Sequence, residues 1–244
     1  MNAIETHRLT RRFGGRVAVD RLDLTIAEGE IFALLGQNGA GTTTTIRMLT
    51  CLLPPSEGDA LVFGDSITAA PAAVKAKLNL SPQQNAVARS LTVRENLELF
   101  ARLWGADHAE ARARAEQAMA DFALTDRAND RAKTLSGGLE RRLSIAMATI
   151  TRPRVLFLDE PTLGLDVRAR RDLWRLIEAC RGKLTVILTT HYLEEAEHLA
   201  DRIGIMQAGR LRALGTPAEL CAMTLTATLE DAFLALTDAE EVTA

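Results

Sequence analysis

The stretch IFALLGQNGAGTTTT, residues 31–45, decides the fold class of this 244-residue chain. Its five leading apolar residues predict a buried strand, and the threonines predict a helix that Pro54 and Pro55 stop. Between them lies the glycine-rich run Gly36–Gly41, which lets successive backbone N–H groups converge on an anion at the positive end of the helix dipole. Strand, glycine loop and helix in this order are typical of the opening of an α/β nucleotide-binding core.

One position in this loop departs from the pattern G-x-x-x-x-G-K-[ST], because Thr42 stands where the pattern has lysine. That lysine would donate charge-assisted hydrogen bonds to the β- and γ-phosphates, each worth roughly 1.5–3 kcal/mol. Threonine brings a hydroxyl without a charge, no other lysine is an obvious substitute, and we expect Arg47 to point away. Thr43 stands where a hydroxyl would ligate Mg²⁺. The loop therefore predicts nucleotide binding through the backbone, with slow turnover.

Two further segments predict the rest of a site. RVLFLDE, residues 154–160, is an apolar strand that ends in two carboxylates. Asp159 is placed to bind Mg²⁺ through water, and Glu160 to orient or deprotonate an attacking water. The run LSGG, residues 135–138, precedes a helix and forms a second anion-binding helix start. Since one mononucleotide does not need two such starts, we expect two copies to face each other.

Composition excludes several classes of protein. Hydrophobic residues make up 47% and charged residues 25%, as in ordinary globular domains, and the net charge of −3 argues against a dedicated nucleic-acid binder. Three scattered cysteines, Cys51, Cys180 and Cys221, indicate a reducing compartment. No secretory signal and no run of ~18 apolar residues is found. We expect a cytoplasmic chain that another protein would have to anchor at any membrane.

Patterning along the chain predicts its organisation. Alternating residues on both sides of Gly14 and Gly15 predict antiparallel strands, and alternating apolar runs and helices after residue 136 predict a parallel sheet. The predicted fold class is α/β, a P-loop NTPase core with a mostly parallel sheet, an N-terminal antiparallel β subdomain and an inserted α-helical subdomain. As one nucleotide-binding domain over 1–244, the chain divides into a core (1–85 and 136–216), a helical subdomain (about 86–135) and a C-terminal helical tail (about 217–244).

The order of the phosphate loop, LSGG, LFLDEP, GLD and TTH resembles the ATP-binding-cassette (ABC) transporter ATPase family, over residues 3–216. The runs LTVRENLELFARLWG and THYLEEAEHLADRIGIM further resemble the cassettes of ABC-2-type exporters. Those export drugs, lipids or polysaccharides through a separate membrane permease. The resemblance implies ATP and Mg²⁺ as cofactors and a homodimer or heterodimer on the inner face of the cell membrane, held by the permease, with no nucleic acid. The cargo stays open.

The resemblance also implies residue roles. Phe13 would stack on adenine, and His191 would be the switch residue at the γ-phosphate. Gln83 would sense Mg²⁺ and the γ-phosphate, and it is favoured over Gln84 because it directly follows Pro82.

The full set of implied roles is as follows. Glu160, His191 and Gln83 would be catalytic, and Thr43, Gln83 and Asp159 would bind the metal. The nucleotide would be bound by Phe13, Gly36, Asn38, Gly39, Ala40, Gly41, Thr42, Thr43, Thr44, Ser136, Gly137, Gly138 and Asp166. Ser136 and Gly138 would contact the γ-phosphate held by the other subunit, and Asp166 would lie at the dimer interface. Leu139 departs from the glutamine usual in the family.

Three interpretations of Thr42 stay open: a natural degenerate cassette, an engineered or sporadic change that disables a working ATPase, and a chain that hydrolyses ATP slowly. Because the other site residues are present, the second is favoured. The main hypothesis is the energising subunit of an exporter, and the alternative is a non-hydrolysing regulatory or scaffold subunit. A soluble ABC ATPase of translation or DNA repair is disfavoured, because such proteins usually carry tandem cassettes or long coiled-coil insertions.

Overall fold

The computed structural model describes residues 1–238, in which two β-sheets are packed with helices. The strands are β1 (Asn2–Phe13), β2 (Arg16–Ala27), β3 (Ile31–Gly36), β4 (Glu57–Val62), β5 (Asp65–Ser66), β6 (Leu78–Ser81), β7 (Val155–Asp159), β8 (Thr185–Thr190), β9 (Arg202–Gln207) and β10 (Arg210–Gly215). The helices are α1 (Thr42–Leu49), α2 (Pro71–Lys75), α3 (Val93–Leu103), α4 (His108–Asp121), α5 (Gly137–Thr149), α6 (Val167–Glu178), α7 (Leu193–Leu199), α8 (Pro217–Thr224) and α9 (Leu229–Thr237).

The first sheet is antiparallel, with the order β2-β1-β4-β5. The turn between β1 and β2 passes through Gly14, whose φ of 56° lies in the left-handed region that glycine adopts readily. β2 ends at Ala27, because the chain turns at Gly29 with φ 77°. The predicted antiparallel β region is confirmed.

The second sheet has the order β10-β9-β3-β8-β7-β6. Its strands are parallel except for β10, and every residue of β3, β7 and β8 is buried, as expected for strands covered on both faces. The register pairs Leu35 with Thr190 and Asp159 with Thr189. The carboxyl ends of β3, β7 and β8 therefore meet at one edge, where an open α/β sheet binds its ligands.

The segment between β6 and α5 is helical, as its sequence indicated. Thr92 caps α3 in a reciprocal capping box with Glu95, and Asp107 caps α4. Both helices pack on α5. The buried side chain of Asn96 on α3 holds the loop after β6, since it accepts from the N–H of Ala88 at 2.8 Å and donates to its carbonyl at 3.1 Å.

Two helix boundaries differ from the sequence-based expectation. α1 ends at Leu49 rather than at the prolines, because Cys51 has left-handed backbone with φ 55°. α5 begins at Gly137, so both glycines of LSGG lie inside its first turn, and Ser136 is the N-cap.

At the C-terminal end, α8 and α9 pack on β10 and β9, with Leu220, Leu229 and Phe233 buried. Residues 239–244 of the predicted helical tail lie outside the described residues. Within residues 1–238 no single helix is long and apolar enough to cross a membrane; α8 and α9, bent by 56°, reach that length and apolarity only as a pair.

Candidate functional site

The loop between β3 and α1 lines a pocket of about 410 Å³ together with Phe13, Arg16 and Ala18. Gly41 has φ 105°, and a Cβ there would lie 2.5 Å from the carbonyl oxygen of Ala18, so only glycine lets the loop pass this strand. α1 starts at Thr42, and the N–H groups of its first turn have no acceptor within the helix. The pocket is therefore lined by backbone donors suited to an anion.

The end of β7 brings a carboxylate to the start of α1. Asp159 is 8% exposed, and its Oδ1 accepts from the hydroxyl of Thr189 at 2.6 Å. The hydroxyl of Thr43 lies 3.4 Å from the same oxygen. No cluster of three or more His, Cys, Asp or Glu side chains in residues 1–238 holds a metal by itself. The oxygens of Thr43 and Asp159 fit Mg²⁺, which binds through few carboxylates and takes its other ligands from water and phosphate.

Glu160 follows Asp159 and contacts His191 after β8. Its Oε2 lies 2.9 Å from His191 Nδ1, and its backbone N–H donates to the carbonyl of Thr189 at 3.1 Å. Burial raises the pKa of Glu160, and the hydrogen bond from His191 opposes that shift. Glu160 also has φ 48°, an uncommon conformation for a non-glycine residue. A strained, partly buried carboxylate with a raised pKa has the character of a general base.

A buried arginine, which sequence reasoning missed, lies behind this carboxylate. Arg141 on α5 is 3% exposed. Its Nη2 donates to the carbonyl of Asp159 and its Nε to that of Pro161, both at 2.9 Å. Its Nη1 donates to the carbonyl of Pro82 and to Asn85 Oδ1. Burial lowers the pKa of Arg141 to about 10, which leaves it charged at neutral pH.

Helical periodicity was the signal that could have found Arg141. With Ile145 and Ala148 it forms an i, i+4, i+7 series, and both of those residues are buried. Its bonds connect α5 to the end of β7 and to the loop that carries Gln83.

The residues predicted to contact adenine and to sense Mg²⁺, Phe13 and Gln83, are more exposed to solvent than Asp159 and Glu160. Phe13 is 48% exposed, and the guanidinium carbon of Arg11 lies 4.7 Å from its ring centroid. Gln83 and Gln84 are exposed in the loop after β6, and neither lines the 410 Å³ pocket.

The helix starts of α5 and α6 also lie outside that pocket. Ser136 caps α5 by accepting from the N–H of Leu139, and Asp166 caps α6 by accepting from Ala169 at 2.9 Å. A Cβ at Gly138 would lie 2.9 Å from that of Ala169, so this glycine permits the close approach of the two starts. The structure thus brings the phosphate loop together with the ends of β7 and β8. The starts of α5 and α6 lie close to each other, are exposed, and lie outside the pocket of the phosphate loop.

Comparisons with known proteins point to one family. A family model described as ABC transporter matches residues 19–163. The chain is 46% identical over 219 residues to the daunorubicin/doxorubicin resistance ATP-binding protein DrrA of Streptomyces peucetius, over 89% of this chain and 66% of that protein. It is 44% identical over 223 residues to the daunorubicin resistance ATP-binding protein DrrA3 of Streptomyces coeruleorubidus, over 91% and 71%. The chain thus spans about two thirds of the length of these relatives. The structure of cbiO1 from Clostridium perfringens, described as part of the ABC transporter complex cbiONQ, matches with a TM-score of 0.83 and 26% identity, over 91% of each chain.

Proposed function

The chain belongs to the ABC transporter family, among its ATP-binding subunits, and on that premise we propose that it binds ATP with Mg²⁺ and energises export through a separate membrane permease. The observation that carries the proposal is the meeting of three strand ends: the loop after β3, Asp159 and Glu160 at the end of β7, and His191 after β8.

Each group at this edge has a chemical task. The N–H groups of the first turn of α1 bind phosphate oxygens, and Thr43 with Asp159 would hold Mg²⁺, which neutralises phosphate charge when bound. Glu160 takes a proton from the attacking water, a contribution of typically 10²–10⁴-fold in rate. His191 holds the carboxylate of Glu160 in place through its Nδ1. Cleavage of the phosphoanhydride bond of ATP would supply the free energy for transport.

The exposed helix starts support a dimer of cassettes. Ser136 and Gly138 in the first, and Asp166 in the second, are available to a second subunit and fall outside the pocket that the phosphate loop lines. In a homodimer or a heterodimer, these helix starts would complete the nucleotide site of the partner. This arrangement accounts for their exposure and for their position outside the pocket of their own chain. Closure would exclude water and strengthen every charged contact inside.

The permease contact is proposed at the helical segment. Leu99 and Leu103 on α3 and Trp104 at its C-cap are exposed large apolar side chains, 45%, 72% and 45% accessible. Apolar residues grouped on one helix mark interaction surfaces. α3 follows the loop that bears Gln83, so the permease would bind beside the nucleotide-sensing loop. The chain would then act on the cytoplasmic side, where ATP is available.

Thr42 favours a second candidate function, a non-hydrolysing regulatory or scaffold subunit. It leaves the loop without the charge that a lysine would place on the β- and γ-phosphates. We expect ATP binding to survive and hydrolysis to be slow.

Steady-state Mg-ATP hydrolysis and equilibrium ATP binding by the chain, by Thr42→Lys and by Ala73→Lys test both functions. Ala73 is exposed on α2 outside the pocket, so it controls for the added charge. Recovery of turnover by orders of magnitude only in Thr42→Lys supports the exporter ATPase. ATP binding without turnover in every variant supports the regulatory subunit, and no ATP binding in any of them contradicts both.

A further inference from the structure

One cation lies at the phosphate loop without a partner. Arg16, the first residue of β2, lines the 410 Å³ pocket and an adjoining pocket of about 210 Å³ that Gln37, Asn38 and Met206 also line. A Cβ at Gly39 would lie 3.4 Å from Arg16 Nη2, which is van der Waals contact. The guanidinium therefore lies beside the loop at Gly39.

Neighbouring arginines on the same sheet are engaged elsewhere. Arg12 pairs with Glu57 at 3.3 Å, and Arg21 pairs with Asp20 at 3.3 Å. Within residues 1–238 the side chain of Arg16 makes no hydrogen bond and no ion pair. An exposed guanidinium with no bond to give up can turn toward an incoming anion without first breaking a contact.

The position of Arg16 matters for anion binding because the pocket has little other charge. Among the described residues that line the 410 Å³ pocket, Arg16 is the one charged side chain. Thr42 lines the same pocket and brings only a hydroxyl. A planar guanidinium with five donors matches phosphate oxygens and binds them in pairs.

We propose that Arg16 supplies, from the β-sheet side of the pocket, the positive charge toward the nucleotide phosphates that Thr42 does not supply from the helix side. The inference rests on the proposed function and deepens it, since it assigns a further binding residue at the phosphate loop. It also separates two effects of Thr42. Affinity for the polyphosphate is retained through Arg16, but no charge stands at the helix start where a lysine would assist hydrolysis.

The size of the effect follows from the type of bond. A hydrogen bond to a charged partner corresponds to roughly a tenfold to hundredfold change in dissociation constant. The loss should grow with the number of phosphates, because the bond is made to the polyphosphate and not to the base. Removing one cation should also reduce the salt dependence of binding, since fewer screened charge contacts remain.

Isothermal titration of Mg-ATP and of AMP, each at low and high salt, tests the proposal on the full chain. The variants are Arg16→Ala, Thr42→Lys, the double variant, and Arg12→Ala as a matched exposed arginine outside the pocket. We expect Arg16→Ala to weaken ATP roughly ten- to a hundredfold, AMP much less, and Arg12→Ala to leave both unchanged. In the Thr42→Lys background the loss on removing Arg16 should shrink.

Three other outcomes would overturn the role of Arg16, its compensation for Thr42, or the proposed function, and a stability measurement is the control. Equal ATP affinity of the chain and Arg16→Ala, with ATP bound by both, overturns the inference and leaves the proposed function intact. An equal loss in the Thr42 and Lys backgrounds shows that Arg16 binds phosphate without replacing the lysine, which overturns the compensation. Failure of every variant, including Thr42→Lys, to bind ATP overturns the proposed function and this inference with it. A thermal unfolding midpoint for Arg16→Ala equal to that of the unchanged chain shows that the exposed substitution leaves the fold intact.

Discussion

Replacing Arg141 by methionine should lower the free energy of unfolding by several kcal/mol, because each buried acceptor that loses its donor costs about 1–3 kcal/mol. The side chain is 3% exposed and donates to the carbonyls of Pro82, Asp159 and Pro161 and to Asn85 Oδ1. Methionine keeps the length of the side chain and donates nothing, so these acceptors lose their partner in a region that water does not reach freely.

The adjacent residue provides the control. Arg142 is on the same helix and pairs with Asp172 at 2.9 Å, with the two side chains 15% and 31% exposed. This ion pair is only partly exposed, but Asp172 keeps Arg175 as a second partner, so Arg142→Met should cost about 1 kcal/mol, well below Arg141→Met. Both variants keep the helix propensity nearly constant, since arginine and methionine rank alike.

Urea denaturation of the two variants and the unchanged chain, without nucleotide, measures the difference. A lower midpoint with an unchanged slope for Arg141→Met would report stability alone. If Arg141→Met unfolds at the same urea concentration as Arg142→Met, the buried bonds do not hold this part of the fold, and the reasoning from burial and hydrogen bonding is wrong.

Two further predictions concern the site itself. Because protonation of Glu160 removes the base, and burial raises its pKa, turnover in a Thr42→Lys background should fall on the acid side. In that background His191→Ala removes the opposing hydrogen bond and should move the acid limb of the pH–rate profile to higher pH; an unmoved limb would refute the assignment of Glu160. Gly41→Ala places a Cβ 2.5 Å from a carbonyl oxygen of β2, so it should abolish ATP binding in equilibrium titrations and cost more stability than Gly64→Ala, which pays only the left-handed backbone penalty of about 1–2 kcal/mol. Equal effects of the two alanines would contradict the tight passage of the loop.

The parts of the fold that were predictable from sequence are those in which local pattern and tertiary environment agree. β3 and β7 are uninterrupted apolar runs because both faces are covered, and the glycine loop and Asp159 follow them directly. β5 has only two residues, Asp65 and Ser66, and β6 is the short run LNLS. Such short strands exist because a neighbour offers hydrogen bonds: β5 pairs with β4 across a tight turn, and β6 pairs with β7, which is distant in sequence.

The candidate site residues also differ in whether the local sequence pattern indicates their position. Asp159, Glu160 and His191 lie at or directly after the end of a buried strand, and their placement was predictable because strand ends of one parallel sheet share an edge. Arg141 was missed because charge usually means exposure, and only its acceptors on two other segments permit burial. Arg16 was missed because its role depends on Gly39, which is distant in sequence and close in space.

The two overlooked arginines act on different properties of the proposed site. Arg141 donates to the carbonyls of Asp159 and Pro161, on both sides of Glu160, and to the loop of Gln83. A shift of α5 against β7 must therefore break bonds that flank the proposed base. The side chain of Arg16 makes no such bond within residues 1–238 and lies beside the phosphate loop at Gly39. A change of Arg141 should thus alter stability and the geometry around Glu160, whereas a change of Arg16 should alter affinity and leave the fold as it is.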